Sequence, residues 1–207
     1  MPADFVRKDP AGKENRDTVT TIDPVTTIDD VTLRVIDALN ASRVNYMLVG
    51  SFSTNAYGIP RSTKDADFVL QLEGALAPVF YEELGEDFEI DPQMKFETNT
   101  GTFKQEIRFS GTPFTVELFR LSKDEFDLER FRRRVSVKLM GRETFIPTAE
   151  DVVVMKVRWL RDKDRADIKN VLTVQRGKLN WAYIEKWCHA HGTLAKLEEI
   201  RRTVPEI

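Results

Sequence analysis

The chain has 207 residues, 41% of them hydrophobic, with thirteen Phe and three Trp; that is apolar material for one domain with a real core and excludes wholesale disorder. No apolar run reaches the ~20 residues of a membrane-spanning helix and no signal-type stretch is seen, while the single cysteine, Cys188, has no internal disulfide partner, so a reducing, cytoplasmic setting is expected. The net charge of −3 conceals a basic stretch from Arg130 to Lys169, twelve Lys or Arg against six Asp or Glu, which leaves −9 for the remainder and suits a polyanion such as a nucleotide or RNA, though each residue alone also fits a solvated face.

Residues 1–27 are polar, Thr- and Asp-rich and broken by three prolines, and read as a flexible leader. Asp29 or Asp30 can cap a helix running to about Ser42, with Val31, Val35 and Leu39 at helical spacing. Tyr46–Val49 is a short apolar run ending in Gly50, a buried strand, and Ser51–Tyr57 is a short helix closed by Gly58 and Pro60. Asp65–Leu72 forms a second strand and Glu73–Leu84 an amphipathic helix. Thr102–Phe109 and Phe114–Leu121 form a hairpin about Ser110-Gly111-Thr112-Pro113. A helix follows at Lys123–Arg132, then a small hairpin, Val135–Leu139 with Glu143–Ile146, about Gly141. From Thr148 onward the pattern is helical, in segments near 149–161, 164–175, 180–191 and 193–202. The expected fold is α+β: a small mixed sheet flanked by helices over 28–147, with a helical region, 148–207, packed on it.

Chemistry concentrates in Val49-Gly50-Ser51 and Arg61-Ser62-Thr63-Lys64-Asp65-Ala66-Asp67-Phe68. Side chains two apart on a strand point the same way, so Asp65 and Asp67 share a face. Like charges so close repel unless a cation sits between them, and paired oxygen ligands suit Mg²⁺. Two such ions, ~3.5–4 Å apart, could activate a hydroxyl and stabilise leaving pyrophosphate. Glu117, which interrupts the apolar strand Thr115–Phe119, is the first candidate for a third carboxylate, and Glu106 in the partner strand the second. Gly50 and Ser51 stand where a strand turns into a helix, a place where backbone amides and a hydroxyl can hold phosphate. Alone, a Gly-Ser is an ordinary helix cap and an Asp-x-Asp a surface pair; their order and spacing carry the signal.

Residues 46–72 resemble the signature of the DNA polymerase β-like nucleotidyltransferase superfamily: a strand ending in Gly-Gly or Gly-Ser, a helix, then an Asp-x-Asp strand. Arg61-x-Thr63-x-Asp65-x-Asp67 is especially similar to the minimal bacterial branch that includes toxin–antitoxin and abortive-infection nucleotidyltransferases. Pro147-Thr148-Ala149-Glu150-Asp151 with Lys156, then Arg161-x-Lys163-Asp164-x-x-Asp167, resembles that branch's helical motif. The resemblance implies that Asp65, Asp67 and Glu117 hold Mg²⁺, Glu117 standing where the family more often has Asp. It also implies that Gly50, Ser51, Arg61, Thr63, Lys156, Asp164 and Asp167 serve the nucleotide. On a continuous helix Lys156 and Asp167 would lie about 20° apart. The activity implied is Mg²⁺-dependent transfer of a nucleoside monophosphate from an NTP to a hydroxyl of RNA or of a partner protein, with a cognate toxin or antitoxin as partner. A non-catalytic nucleotide- or partner-binding module of the same fold is the alternative. Elsewhere, Cys188, His189 and His191 could suggest a metal cluster, but Trp181, Ile184, Cys188 and His191 recur at helical spacing, which is a packing stripe.

Overall fold

The computed structural model describes residues 26–204. The expected flexible leader thus lies, but for its last two positions, outside the described residues. Thr27, assigned to that leader, instead caps the first helix: its hydroxyl accepts the Asp30 N–H at 3.2 Å and Asp30 accepts the Thr27 N–H at 2.9 Å, a reciprocal capping box. Neither Asp29 nor Asp30 is the cap.

Sixteen elements follow in the described chain: α1 (Ile28–Ala41), β1 (Asn45–Val49), α2 (Gly50–Tyr57), β2 (Asp65–Gln71), α3 (Pro78–Leu84), β3 (Phe88–Ile90), β4 (Lys95–Glu97), β5 (Thr102–Phe109), β6 (Thr115–Arg120), α4 (Glu125–Arg133), β7 (Val135–Leu139), β8 (Arg142–Ile146), α5 (Ala149–Trp159), α6 (Asp162–Val174), α7 (Trp181–Ala190) and α8 (Leu194–Arg201). The fold is α+β. The main sheet has the order β1-β2-β6-β5-β3, with β4 also on β5. β2 and β6 run parallel and the other pairs antiparallel.

Alternation along the central strands divides the sheet's two faces. Tyr46, Leu48, Ala66, Phe68, Leu70, Val116 and Leu118 are at most 1% exposed and pack with Val35, Leu39, Phe80 and Leu84 of α1 and α3. The alternate residues Met47, Val69 and Phe119 form a smaller cluster with Phe131 of α4. That second face is otherwise left to a cleft. Its far wall is helical: Val152, Val153 and Val157 of α5 join Ile168, Val171, Ile184, Cys188 and Leu197 in a separate core. Two bonds tie this region to α2, Tyr57 Oη to the Pro147 carbonyl and Gln175 Nε2 to the Tyr57 carbonyl, both 2.9 Å.

The structure departs from the sequence reading in two further places. Strands β3 and β4 were not anticipated, being three residues each and too short to show a period. The helix expected from Glu73 begins only at Pro78, because Pro favours the first helical turn and Gly74 sits at φ +82°. The break expected between the segments near 149–161 and 164–175 falls at Leu160, whose left-handed conformation ends α5, so Lys156 and Asp167 do not share one continuous helix.

Candidate active site

Gly50 closes β1 and opens α2 at φ +62°, a conformation natural to glycine. A Cβ there would overlap the Asp67 carboxylate oxygen. The bare backbone is therefore what lets Asp67 lie against the strand-to-helix turn. In register across the sheet, Asp67 stands between Val49 of β1 and Glu117 of β6, and Glu117 stands opposite Glu106 of β5. Asp65, two residues earlier on the same face, is exposed and accepts the Thr115 hydroxyl at 2.6 Å. Thr63 accepts the Asp65 N–H at 3.2 Å and so shapes the entry to β2 without reaching the cavity.

A cavity of about 390 Å³ opens over this row, lined by Gly50, Ser53, Asp65, Asp67 and Glu117 on one side and by Met155, Lys156, Trp159, Arg161 and Lys163 on the other. Burial, reinforced by the charges of Glu117 and Asp65, pushes the Asp67 carboxyl up to about 6, against the milder pull of Lys163 and Arg161. Glu117 is bound by the Lys104 ammonium at 2.6 Å. Glu106 is not a cavity residue. Arg108 at 2.8 Å and Lys95 at 3.1 Å engage it and hold its carboxyl below the ordinary range. Of the two candidates for a third carboxylate, Glu117 is the one at the site.

Among the described residues no three His, Cys, Asp or Glu side chains converge on a point where an ion would bind. The donor set nonetheless fits a hard divalent cation. Asp65 and Asp67 share a face, the bare Gly50 backbone leaves room for the Asp67 carboxylate, and Glu117 in register beside it already holds a cation, the Lys104 ammonium.

The residues expected at the nucleotide separate into two groups. Gly50 and Lys156 line the cavity. Ser51, Arg61, Asp164 and Asp167 instead belong to an ion-pair chain behind it. Arg61 donates to both oxygens of Asp167, at 2.8 and 3.0 Å, and to the Ser51 hydroxyl at 3.1 Å. Lys156 bridges Asp167 at 2.7 Å and Asp164 at 2.9 Å. Arg161 donates to Asp164 at 2.8 Å through Nε, and its backbone N–H does so at 3.0 Å. Burial alone would raise both aspartates; the Arg61, Lys156 and Arg161 contacts outweigh it and hold them below the usual carboxylate range. Asp164 and Asp167 are at most 2% exposed, and each is held by two cations of this chain. The predicted closeness of Lys156 and Asp167 is met across the α5–α6 break rather than along one helix.

The sequence assigns no site role to Ser53, Lys104, Trp159, Arg161 or Lys163, all of which line the cavity. The last two belong to the motif Arg161-x-Lys163-Asp164-x-x-Asp167, in which the expectation falls on the acids and not on these cations; Lys163 forms no ion pair among the described residues. Several cations of the basic stretch are ion-paired. Arg130 pairs with Asp127, Arg133 with Glu150 and Asp151, Arg142 with Asp37, Arg158 with Asp124 and Arg165 with Glu199. In α7, Ile184 and Cys188 are buried in the helical core while His189 is exposed, which is packing rather than a metal cluster.

A strand–Gly–helix turn against an Asp-x-Asp strand, over a mixed sheet, defines a nucleotidyltransferase-type fold. Residues 27–204 match the family model described as "Nucleotidyltransferase of unknown function (DUF6036)", and the chain belongs to that family. Its fold is similar to that of ANT(2")-Ia, solved in complex with adenylyl-2"-tobramycin: TM-score 0.54, 10% identity, 81% of this chain and 98% of that one. A crystal structure of an antigenic nucleotidyltransferase-like protein from Paracoccidioides brasiliensis aligns at TM-score 0.48 and 16% identity, over 82% and 92%. A curated relative, the valine–tRNA ligase of Corynebacterium efficiens, is 34% identical over 103 residues, 49% of this chain; the chain spans only 11% of that protein's length. Among the described residues no helix is long and apolar enough to cross a membrane.

Proposed function

We propose that the protein transfers a nucleoside monophosphate from an NTP to an acceptor hydroxyl, with Asp65, Asp67 and Glu117 holding Mg²⁺ in the cavity. The observation that carries this reading is the alignment of Asp67 beside Gly50 and in register with Glu117 at the floor of one cavity. Bound there, Mg²⁺ would supply charge neutralisation at the phosphates and polarisation of the reacting oxygens. The chain's own groups do the rest. The turn at Gly50 admits a phosphate close to the backbone, with Ser53 beside it. Lys156, Arg161 and Lys163 offer positive charge from the opposite wall, and the Asp164 and Asp167 carboxylates keep Lys156 and Arg161 in place. In the reaction the acceptor oxygen bonds to the α-phosphorus, the bond from that phosphorus to the bridging oxygen breaks, pyrophosphate departs, and the acceptor proton passes to a cavity carboxylate.

The acceptor we infer is a hydroxyl of RNA or of a partner protein, a toxin or antitoxin partner being the context that the sequence resemblance suggests. ANT(2")-Ia is solved in complex with adenylyl-2"-tobramycin, so small hydroxyl compounds belong in the test. A second reading, a nucleotide-binding module without catalysis, is favoured by one observation, the occupation of Glu117 by Lys104. Parallel incubations with NTPs labelled at the α- or the γ-phosphate, with Mg²⁺ and cell extract, separate the two. Nucleotidyl transfer moves α-label to an acceptor and leaves γ-label in pyrophosphate. Binding without release of pyrophosphate supports the module, and transfer of γ-label would contradict the reaction class.

A further inference from the structure

Lys104 and Glu117 face one another inside the cavity, 2.6 Å apart, with side chains 19% and 24% exposed. They come from adjacent antiparallel strands in which Lys104 stands opposite Phe119 and Glu106 opposite Glu117, so the pair is diagonal across the sheet. In that same position the Lys104 ammonium also lies 5.4 Å from the Phe119 ring centre. Glu117 is half of what a third metal-facing carboxylate must be: it is in register with Asp67, yet its charge is already answered. Asp65 and Asp67, by contrast, have no cation within an ion-pair distance among the described residues. The face therefore carries two unanswered carboxylates and one answered by a lysine, which explains why no three acids converge.

We propose that Lys104 is a built-in competitor for the metal: it occupies Glu117 while the cavity is empty and gives it up when a divalent cation enters, its ammonium then turning to the phosphates of the incoming NTP. This rests on the metal reading given above and adds to it a coupling between metal and nucleotide. Lys104 offsets part of the Glu117 charge, which presses on Asp67 even in the empty protein. With Lys104 there, cation binding at Glu117 must displace an ammonium, and the displaced ammonium is available to a polyanion in the same cavity. An NTP and its cation thus bind better together than either does alone, and a metal arriving without nucleotide is held weakly.

The test uses the full chain and Mn²⁺ as probe, its binding followed by the electron spin resonance of the free ion, without nucleotide. Lys104→Met removes the competitor and is expected to tighten Mn²⁺ binding about tenfold, the equivalent of one partly buried ion pair, while KM for the NTP rises. Lys104→Arg, which keeps a cation on Glu117, is expected to leave Mn²⁺ binding no tighter than in the native chain, and serves if the Met variant folds poorly. Glu117→Gln weakens Mn²⁺ binding, and adding Lys104→Met to it produces no further change. A purely structural lysine would shift metal and nucleotide affinity in the same direction. Mn²⁺ affinity unchanged or weakened by Lys104→Met, with Glu117→Gln still weakening it, overturns the competitor and leaves the metal reading intact. No loss of Mn²⁺ binding in either Glu117→Gln or Asp67→Asn overturns both.

Discussion

Asp67 lies against Gly50 with Glu117 in register beside it, and its carboxyl titrates near 6 rather than at the ordinary 3.8 because burial and two neighbouring carboxylates disfavour its charge. The raised value means that protonation favours the folded state. That stabilisation is complete below about pH 4 and is lost as the pH rises through about 6. The metal-free protein is therefore expected to lose melting temperature between pH 5 and pH 7.5, and Asp67→Asn to lose less over the same interval. Mg²⁺ should restore more at pH 7.5 than at pH 5. Calorimetry of the two proteins checks this, and identical pH dependence in both would count against the assigned environment. Gly50 makes a complementary prediction. Gly50→Ala imposes a left-handed conformation on a residue with a side chain, costing about 1–2 kcal/mol, and drives the new methyl into the Asp67 carboxylate. Reduced stability in urea together with loss of nucleotide binding is the expected pair of results. An alanine variant that binds NTP normally would contradict the close approach.

At the scale of elements, the central strands, the hairpin turns and most helices were legible in the sequence because each has a period or a turn residue that belongs to it. Asp65 and Asp67 were legible for the same reason, since alternation fixes their common face. The ion-pair chain was not. Arg61 and Asp167 are 106 positions apart and meet only because α6 packs beside α2, so no local pattern could say that Asp164 and Asp167 are paired with cations of the chain itself. Lys104 was hidden similarly, since its partner is thirteen residues away and set by strand register. Removing Lys156 would leave Asp164 and Asp167 buried with one cation each. Lys156→Met is expected to destabilise by about 3 kcal/mol, the lower end for breaking a buried pair, because Arg61 and Arg161 remain. The companion Lys156→Met/Asp164→Asn should cost less than the sum of its single changes. Urea unfolding of the four proteins measures both, and strict additivity would show that the two residues act apart.

Over the whole molecule the cavity has one wall on the sheet and one on the helices, so the site exists only while both are folded together. The Tyr57–Pro147, Gln175–Tyr57 and Arg61–Asp167 bonds cross that boundary. All three tryptophans, Trp159, Trp181 and Trp187, lie in the helical region, whereas far-ultraviolet circular dichroism reports both parts. Coincident unfolding curves from the two signals are expected of a single cooperative unit, and an earlier fluorescence transition would show that the helices melt separately.

Single-turnover release of pyrophosphate from a γ-labelled NTP, paired with transfer of label from an α-labelled one, with Mg²⁺ and an acceptor-containing extract, comparing the native chain with Asp67→Ala, bears most directly on the carboxylate site. Asp67→Ala should slow release by about a hundred- to a thousandfold, as loss of a central electrostatic group does, and chelation of Mg²⁺ should likewise slow the native chain. Label transfer that persists in Asp67→Ala at the native rate would contradict the assignment of this cavity as the catalytic centre.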